Sequence, residues 1–255
     1  MHLAMKGKHM KKPKMIMFDY GHTLMCEPDF DPLRGEKALL EYAKSNKNGL
    51  TAEQVCDFTQ DLFEKIGVAR NMGMEIHEWQ FQRFVYEYLE IELSISIPEA
   101  EKVFWDHAST GSIMPYADKM IDFINANGIR SGVISNIAFS GAALADRINR
   151  LLPKNKFEFI IASSEYMFRK PNPMLFELAL KKAGLSAEDA WFCGDNAKAD
   201  IEGSSAVGIF PVWYEDETME KTIWLLRQNH GIIPDCGHLH IHDWRELIEI
   251  LGKML

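Results

Sequence analysis

Short apolar runs that end at polar residues alternate with amphipathic stretches through most of this chain. The runs predict buried strands at 14–18, 129–134, 157–162, 190–193 and 209–213. Helical periodicity between them predicts helices at 117–127, 142–152, 173–183 and 200–207. Strands that alternate with helices are typical of an α/β fold with a doubly wound parallel sheet, which carries helices on both faces.

The segment 26–110 breaks this alternation. Its apolar residues recur at helical spacing, as at Val55, Phe58, Leu62 and Ile66, and it contains no convincing strand. We therefore predict a mostly α-helical domain at 26–110, inserted into an α/β core formed by 13–25 and 111–255. Its aromatic and methionine side chains are expected mostly in the core of that insertion.

Composition and charge narrow the class of protein. The 255 residues are 47% hydrophobic and 25% charged, and the formal net charge of −9 argues against a broad basic face for nucleic acid. The apolar runs are far shorter than the roughly 20 residues that a membrane span needs. The basic segment 1–12 has no signal-peptide core after it and is expected to be a flexible arm.

The four cysteines are widely spaced and form no CxxC pair. Their positions, Cys26, Cys56, Cys193 and Cys236, suggest free thiols in a reducing, cytoplasmic compartment and neither disulfides nor zinc ligands.

Polar residues follow the apolar runs at the ends where a parallel sheet binds ligands. These residues are Asp19, Gly21, His22, Thr23, Ser135, Asn136, Arg169, Lys170, Asp195, Asn196 and Asp200. A carboxylate such as Asp19 can attack phosphorus and divide hydrolysis into two easier steps. Asp19, Asp195 and Asp200 offer the hard oxygen ligands that Mg²⁺ prefers.

The same set supplies groups for a phosphoryl ligand. The Ser135 hydroxyl and the backbone at Asn136, just ahead of a predicted helix, can hold phosphoryl oxygens. Lys170 supplies a positive charge that favours the ionised form of Asp19. The residues therefore indicate phosphoryl transfer on a small phosphorylated substrate.

Four short motifs resemble those of the haloacid dehalogenase (HAD) superfamily, in the family's order. They are Phe18-Asp19-Tyr20-Gly21-His22-Thr23-Leu24, Val133-Ile134-Ser135-Asn136, Lys170-Pro171-Asn172-Pro173, and Cys193-Gly194-Asp195-Asn196 with Asp200. The resemblance covers about 14–24 and 111–250, and implies a Rossmann-like core with a helical cap inserted after the first motif. It also implies a hydrolase, most simply a Mg²⁺-dependent phosphatase that forms an aspartyl phosphate.

The resemblance assigns a role to each motif residue. Asp19 would be the nucleophile, Ser135 the phosphoryl-oxygen ligand and Lys170 the charge-neutralising lysine. The metal ligands would be Asp19, the backbone carbonyl of Gly21, Asp195 and Asp200. Substrate would contact Gly21, His22, Thr23 and Asn136, with Thr23 also orienting the loop.

Gly21 departs from the family's pattern, because phosphatases of the family usually carry there a second Asp that acts as general acid and base. Such catalysis is typically worth about 10²–10⁴-fold. Three interpretations stay open: substrates with good leaving groups, a substitute acid such as His22 or a residue of the insertion, or a different chemistry. The dehalogenases and phosphonoacetaldehyde hydrolases of the family also lack this Asp. The Asp195 and Asp200 pair disfavours halide release, and phosphonate cleavage would need a lysine of the insertion for a Schiff base.

Other candidates have plainer explanations. Lys37, Lys44, Lys47 and Lys65 are the lysines of the insertion in question, and nothing marks one as desolvated. Arg70, Asn71, Glu75, His77 and Trp79 could face substrate, although a solvated helix face or the insertion's core explains them more simply. His238, His240 and His242 are explained by a surface turn better than by a metal site. Asp200 could be only a helix N-cap. A catalytically weak phosphate-binding or regulatory protein remains the alternative to an enzyme.

Overall fold

The computed structural model describes residues 10–216 and 232–255. The arm predicted at 1–12 lies mostly outside the described residues. At its described edge, the Lys11 and Lys14 ammonium groups both pair with Asp189, at 2.5 and 2.7 Å. Two ion pairs therefore hold the chain where it enters the first strand.

The elements follow the chain in this order. Within the described residues the strands are β1 (Met15–Phe18), β2 (Met25–Cys26), β3 (Ala43–Asn46), β4 (Ile91–Leu93), β5 (Ser112–Ile113), β6 (Arg130–Ser135), β7 (Phe157–Ala162), β8 (Ala190–Gly194), β9 (Phe210–Tyr214) and β10 (Leu239–Ile241). The α-helices are α1 (Pro32–Leu40), α2 (Ala52–Asn71), α3 (Glu78–Tyr88), α4 (Ile97–Ala108), α5 (Ala117–Ala126), α6 (Gly141–Leu151), α7 (Pro173–Ala183), α8 (Gly203–Ala206) and α9 (Trp244–Gly252). A π-helical turn at Ala197–Glu202 leads into α8.

A six-stranded parallel sheet forms the core, in the order β10-β9-β8-β1-β6-β7. The order reverses at β1, which pairs with β8 on one side and β6 on the other. In an open α/β sheet, ligands bind beyond the carboxyl end of the strands at such a reversal. The predicted doubly wound Rossmann-like sheet is thus confirmed, and it places the residues after β1 at the expected binding crevice.

Both faces of β1 are buried, as its uninterrupted apolar run predicts. Ile16 and Phe18 pack in one apolar cluster with Trp191 and Trp244, and Met15 and Met17 pack in a second on the other face. All four side chains of β1 have no exposed surface. The strand that leads to Asp19 is therefore enclosed on both faces.

The insertion after β2 contains strands that the sequence analysis did not predict. Strand β3 pairs antiparallel with β4, and β2 pairs with β5 where the insertion leaves the core. Helix α1 ends at Leu40 and β3 begins at Ala43, inside the segment for which the sequence analysis predicted no strand. These ribbons are two to four residues long and half exposed at β3, so they show no apolar alternation from which a strand could be predicted.

Of the alternating histidines near the C-terminus, His240 lies in an edge strand, which corrects its interpretation as part of a surface turn, and His238 and His242 flank that strand. Strand β10 pairs in parallel with β9, and the His240 ring stacks on Trp213 at 4.2 Å between centroids. Carboxylate and imidazole ligand atoms of Glu215, His240 and His242 lie within 4.8 Å of one another. The stacking and strand pairing account for the spacing of these histidines.

Buried polar contacts join the insertion to the core. The Glu101 carboxylate accepts hydrogen bonds from the backbone N–H and hydroxyl of Ser140, both at 2.6 Å, and from the Trp79 indole at 2.7 Å. The Trp105 and Phe139 rings stack at 4.0 Å. These contacts fix α3 and α4 of the insertion against the loop after β6.

The four cysteines are free thiols, as predicted; they are Cys26, Cys56, Cys193 and Cys236. Among the described residues, no helix combines the length and apolar character that crossing a bilayer requires.

Candidate active site

A cavity of about 340 Å³ opens at the carboxyl end of β1, where the sheet order reverses. It is lined by Asp19, Tyr20, Gly21, His22, Gly67, Arg70, Asn71, Ser135, Asn136, Ile137, Arg169, Lys170, Asp195, Asn196, Ala199 and Asp200. The four motifs therefore meet in one cavity, and α2 of the insertion closes one side of it.

Lys170 is the centre of the charged groups in this cavity. Its ammonium donates to Asp19 Oδ1 at 2.6 Å and to the carbonyl of Ile134 at 2.7 Å, and lies 2.8 Å from Asp200 Oδ1. Burial opposes its positive charge, but the carboxylates of Asp19 and Asp200 outweigh burial and raise the pKa of Lys170. The lysine therefore stays charged although only 3% of it is exposed.

Hydrogen bonds to its backbone fix the position of Lys170 relative to the end of β6. The Asn136 side chain donates to the Lys170 carbonyl at 2.9 Å and accepts from the Lys170 N–H at 2.7 Å. This reciprocal pair ties the loop after β6 to the loop that carries Lys170. Asn136 lines the cavity, but its amide is engaged with protein backbone.

Asp200 lies inside a helical turn and does not cap it. The N-cap is Asn196, whose side chain accepts from the N–H groups of Lys198 and Ala199, so the helix predicted at 200–207 begins earlier, at Ala197. Asp200 Oδ2 accepts from the Asn196 N–H at 3.0 Å. A Cβ at Gly194 would lie 2.4 Å from Asp200 Oδ2, so glycine is needed for the Asp200 side chain to approach the end of β8.

Three carboxylates lie close together in this cavity, and Lys170 contacts two of them. Asp19, Asp195 and Asp200 each present a carboxylate oxygen within 4.8 Å of the others. Burial raises the pKa of Asp195 well above its usual range, and the charges of Asp200 and Asp19 add to this rise. Burial also raises the pKa of Asp200, to about 6, although Lys170 opposes the rise. Three hard oxygen donors close to one another, with one ammonium beside two of them, match the ligand preference and charge of Mg²⁺. The residues present therefore fit such an ion.

Gly21 and His22 line the cavity directly after the Asp19 turn. A Cβ at Gly21 meets nothing within 4 Å, and its φ lies outside the left-handed region. The backbone of His22 has a positive φ of 54°, and burial lowers the pKa of its imidazole. A longer side chain would therefore fit at position 21, and His22 is biased toward its neutral form.

The structure separates Thr23 from the other residues of the first motif. Thr23 has no exposed surface, does not line the cavity, and has no hydrogen-bond partner for its hydroxyl among described residues. Its carbonyl accepts from the Trp244 indole at 3.2 Å. Ser135, by contrast, is 3% exposed and does line the cavity.

The insertion contributes Arg70 and Asn71 to the cavity, although the sequence analysis favoured a solvated face or the insertion's core for them. Buried Glu75 accepts from Arg70 Nε at 2.8 Å and from Ser163 Oγ at 2.9 Å, and also pairs with Arg169. One carboxylate thus positions two guanidinium groups, one from α2 and one beside Lys170. Local sequence patterns could not show this network, because its members are far apart in the chain.

The remaining candidates of the insertion lie elsewhere. His77 caps α3 by accepting from the Trp79 N–H, and Trp79 donates to Glu101. The lysines considered for a Schiff base are all exposed and none lines the cavity; they are Lys37, Lys44, Lys47 and Lys65.

Comparison with known proteins agrees with this geometry. Residues 51–213, more than half of the chain, match the family described as haloacid dehalogenase-like hydrolase. The chain belongs to this family of hydrolases, which confirms the resemblance seen in the motifs.

Individual relatives differ in activity. The chain is 26% identical over 235 residues to the pyrimidine 5′-nucleotidase YjjG of Escherichia coli, covering 91% of this chain and 96% of that protein. It is 31% identical over 102 residues to a glyceraldehyde 3-phosphate phosphatase of Pyrococcus abyssi, a match that spans 40% of this chain and 42% of that protein. A 2-haloacid dehalogenase structure from Pseudomonas syringae superposes with a TM-score of 0.61 at 22% identity, covering 95% of this chain and 100% of that one, which shows the shared fold.

Proposed function

We propose that this hydrolase is a Mg²⁺-dependent phosphatase that acts on a small phosphorylated substrate, with Asp19 as its nucleophile. The observation that carries the proposal is the contact of Lys170 with both Asp19 and Asp200, at 2.6 and 2.8 Å, beside Asp195. A relative named as a pyrimidine 5′-nucleotidase and one named as a glyceraldehyde 3-phosphate phosphatase support phosphate ester hydrolysis.

The mechanism follows from the placement of the side chains. An Asp19 oxygen attacks phosphorus, the bond to the leaving oxygen breaks, and an aspartyl phosphate forms. Water then cleaves the new P–O bond and regenerates the carboxylate. Lys170 holds Asp19 ionised and in position, and Ser135 donates to a phosphoryl oxygen. Bound Mg²⁺, held by Asp19, the Gly21 carbonyl, Asp195 and Asp200, would neutralise charge between nucleophile and phosphate.

The carboxylate pair favours this chemistry over the alternatives. Asp195 and Asp200 give a divalent ion a site that displacement of halide by a carboxylate does not require. Phosphonate cleavage through a Schiff base is disfavoured because Lys170 is the one lysine among the described residues that line the cavity, and it is ion-paired. Gly21 leaves the leaving group without the usual acid, so substrates with good leaving groups are favoured.

The helical insertion is also part of the proposed site. We propose that the helical insertion, predicted at 26–110, is a cap that encloses the substrate, because Arg70 and Asn71 reach the cavity from α2. Arg70 and Arg169 are the cations that face the substrate beside Lys170. The free thiols are consistent with a cytoplasmic location.

Steady-state hydrolysis of aryl, acyl and sugar phosphates with Mg²⁺ tests the proposal. Asp19→Asn should lower kcat by about 10⁴-fold or more, since it removes the nucleophile. Chelation of the metal should abolish turnover, and acid quenching should trap phosphate on the wild-type protein alone. Binding of phosphate without turnover of any substrate would instead support the weak or regulatory alternative.

A further inference from the structure

The edge of the sheet at β9 and β10 carries a second group of metal-binding side chains. Glu215 directly follows β9, His240 lies in β10, and His242 directly follows β10. One ligand atom of each lies within 4.8 Å of the other two. None of the three lines the cavity that contains Asp19. Strand pairing accounts for the spacing of the histidines, but a strand edge does not require two imidazoles and a carboxylate at one point.

The types of ligand distinguish this group from the proposed magnesium site. Mg²⁺ prefers oxygen ligands, which Asp19, Asp195 and Asp200 supply. Two imidazoles with one carboxylate suit a divalent transition-metal ion such as Zn²⁺. The two groups therefore favour different ions.

The distance between His240 and Glu215 fits an ion between them. His240 Nε2 lies 3.3 Å from Glu215 Oε2 and completes no hydrogen bond with a described residue. Two atoms that are each about 2.0–2.1 Å from one Zn²⁺ at the tetrahedral angle are about 3.3 Å apart. The Nε2 atom is buried from solvent, but the ion would lie among its ligands and not in a solvent-filled space. The Glu215 side chain is 34% exposed, so it can turn to admit the ion.

Hydrogen bonds to the protein backbone already orient this group. Nδ1 of His242 lies 2.9 Å from the Glu215 carbonyl. A carbonyl only accepts, so Nδ1 carries the hydrogen and, in the neutral ring, Nε2 keeps the lone pair that a metal needs. Such a carbonyl is a common partner for the second ring nitrogen of a metal-binding histidine. The Glu215 N–H donates to the Ile241 carbonyl at 2.9 Å, which fixes the ends of β9 and β10 relative to each other.

The surroundings of His240 favour the uncharged ring, which is the form that binds metals. Burial and the neighbouring His242 lower the pKa of His240, although Glu215 opposes this change. The ring also stacks on Trp213 at 4.2 Å between centroids, which holds its plane. The Trp213 indole in turn donates to the Asp195 carbonyl at 2.9 Å, so this tryptophan lies between the two groups.

We propose that Glu215, His240 and His242 form a second metal site, which binds one divalent transition-metal ion of the zinc type. Three protein ligands leave the fourth tetrahedral position to water. The bound ion would join the end of β9 to β10 at the edge of the sheet. The proposal does not depend on the phosphatase assignment, and none of its tests requires turnover.

Calorimetric titration with Zn²⁺, on the full chain without an added histidine tag, tests the site. Saturating Mg²⁺ is present throughout, so that the carboxylates around Asp19 are occupied. We expect Zn²⁺ to bind at Glu215, His240 and His242 at micromolar or lower concentration. Absence of binding under these conditions would overturn the proposal.

Substitution of each ligand locates the binding. His240→Gln, His242→Gln and Glu215→Gln each keep a polar side chain of similar size. Each should weaken Zn²⁺ binding by about 100-fold or more, since loss of even a residue behind the ligands typically costs about 10–100-fold. His107→Gln replaces an exposed histidine on α4 and should leave binding unchanged. Equal affinity in the wild type and the three ligand variants would contradict the site.

Co²⁺ absorption reports the geometry of the bound ion, because geometry is diagnostic of the ligands. Four-coordinate Co²⁺ absorbs visible light strongly, whereas six-coordinate Co²⁺ among oxygen ligands absorbs weakly. The wild type should show the strong absorption, and His240→Gln should lose it. Co²⁺ should also quench indole fluorescence more in the wild type than in Trp213→Phe, because Trp213 stacks on a ligand. Weak absorption in the wild type would overturn the four-coordinate site.

Urea denaturation decides the question even where a variant does not fold. Zn²⁺ should raise the urea midpoint of the wild type, since an ion that binds only the folded chain stabilises it. It should not raise the midpoint of His240→Gln, and without metal the two midpoints should be close. A wild-type midpoint that Zn²⁺ leaves unchanged would overturn the proposal.

Discussion

Buried carboxylates occur in two regions of this protein, and the two regions compensate their charge in different ways. At the end of β1, Asp19 and Asp200 contact the ammonium of Lys170. In the insertion, Glu36 accepts from the Tyr86 hydroxyl at 2.6 Å, and burial and neighbouring glutamates raise the pKa of Glu78 to about 8. A neighbouring cation compensates Asp19 and Asp200 in the first region, whereas burial favours the protonated form of the glutamates in the second.

The carboxyl groups of the two regions have different requirements. A nucleophile must be ionised, and a neighbouring cation favours that form without delivering a proton. The glutamates of the second region have no cation beside them, and their neutral forms bury at lower cost than their charged forms. The comparison predicts that substitutions in the first region act mainly by removing charge, and that those in the second change how stability depends on pH.

Removing the cation should have the largest effect. Lys170→Met leaves Asp19 and Asp200 buried without it, which should lower the free energy of unfolding by about 3–5 kcal/mol and kcat by about 10²–10³-fold. Urea denaturation and steady-state kinetics measure these. Added Mg²⁺ should recover part of the stability, because a cation among the carboxylates replaces the lost charge.

Lys198→Met is the matched control, since Lys198 is 72% exposed and lies 3.8 Å from Glu202. It should change stability by less than about 1 kcal/mol. Equal effects of the two substitutions would mean that Lys170 does not compensate buried charge.

The sequence predicted the first region better than the second, for a physical reason. Asp19, Ser135, Lys170 and Asp195 each follow a strand, and a parallel sheet brings strand ends together whatever the side-chain detail. Gln82 and Glu78 lie on α3 at spacings that fit an ordinary buried helix face. Their burial depends on the packing of α3 against α1, α2 and the core, and packing at long range is not encoded in local periodicity.

Dependence on contacts between distant residues also explains where other sequence interpretations differ from the structure. The approach of Arg70 to Arg169 depends on Glu75, which is 94 residues from Arg169 in the chain. Strand β10 owes its place to pairing with β9, and its three residues are too few for a pattern. Thr23 has the motif position of a ligand-binding residue, but the turn after Asp19 directs it into the core.

Restoring an acid at position 21 should have the next largest effect. Gly21→Asp should raise kcat on alkyl phosphates by about 10²-fold and on aryl phosphates much less, because only poor leaving groups need protonation. The open space around Gly21 admits the side chain. Rates across phenols and alcohols of graded pKa measure this: the wild type should depend steeply on leaving-group pKa, and the variant weakly.

Gly67→Asp supplies the control for added charge. Gly67 lines the same cavity from α2, and a Cβ there also meets nothing within 4 Å. It places a carboxylate in the cavity away from the nucleophile, so it should not raise the rate on alkyl phosphates. A flat leaving-group dependence in the wild type would mean that another group, such as His22, already donates the proton.

The smallest effect should come from the glutamates of the second region. Because the pKa of Glu78 rises from 4.5 to about 8 on folding, the folded protein keeps a proton that the unfolded chain releases. Its contribution to stability is therefore complete below about pH 4.5 and is lost as the pH rises toward 8. In Glu78→Gln this side chain is neutral at every pH. The unfolding free energy of the variant should therefore fall by up to roughly 2 kcal/mol less than that of the wild type between about pH 5.5 and 7. Urea denaturation across this range measures it, with the exposed Glu87→Gln of the same helix as control. An unchanged pH dependence in Glu78→Gln would show that Glu78 is ionised in the folded protein, and the contrast between the two regions would then fail.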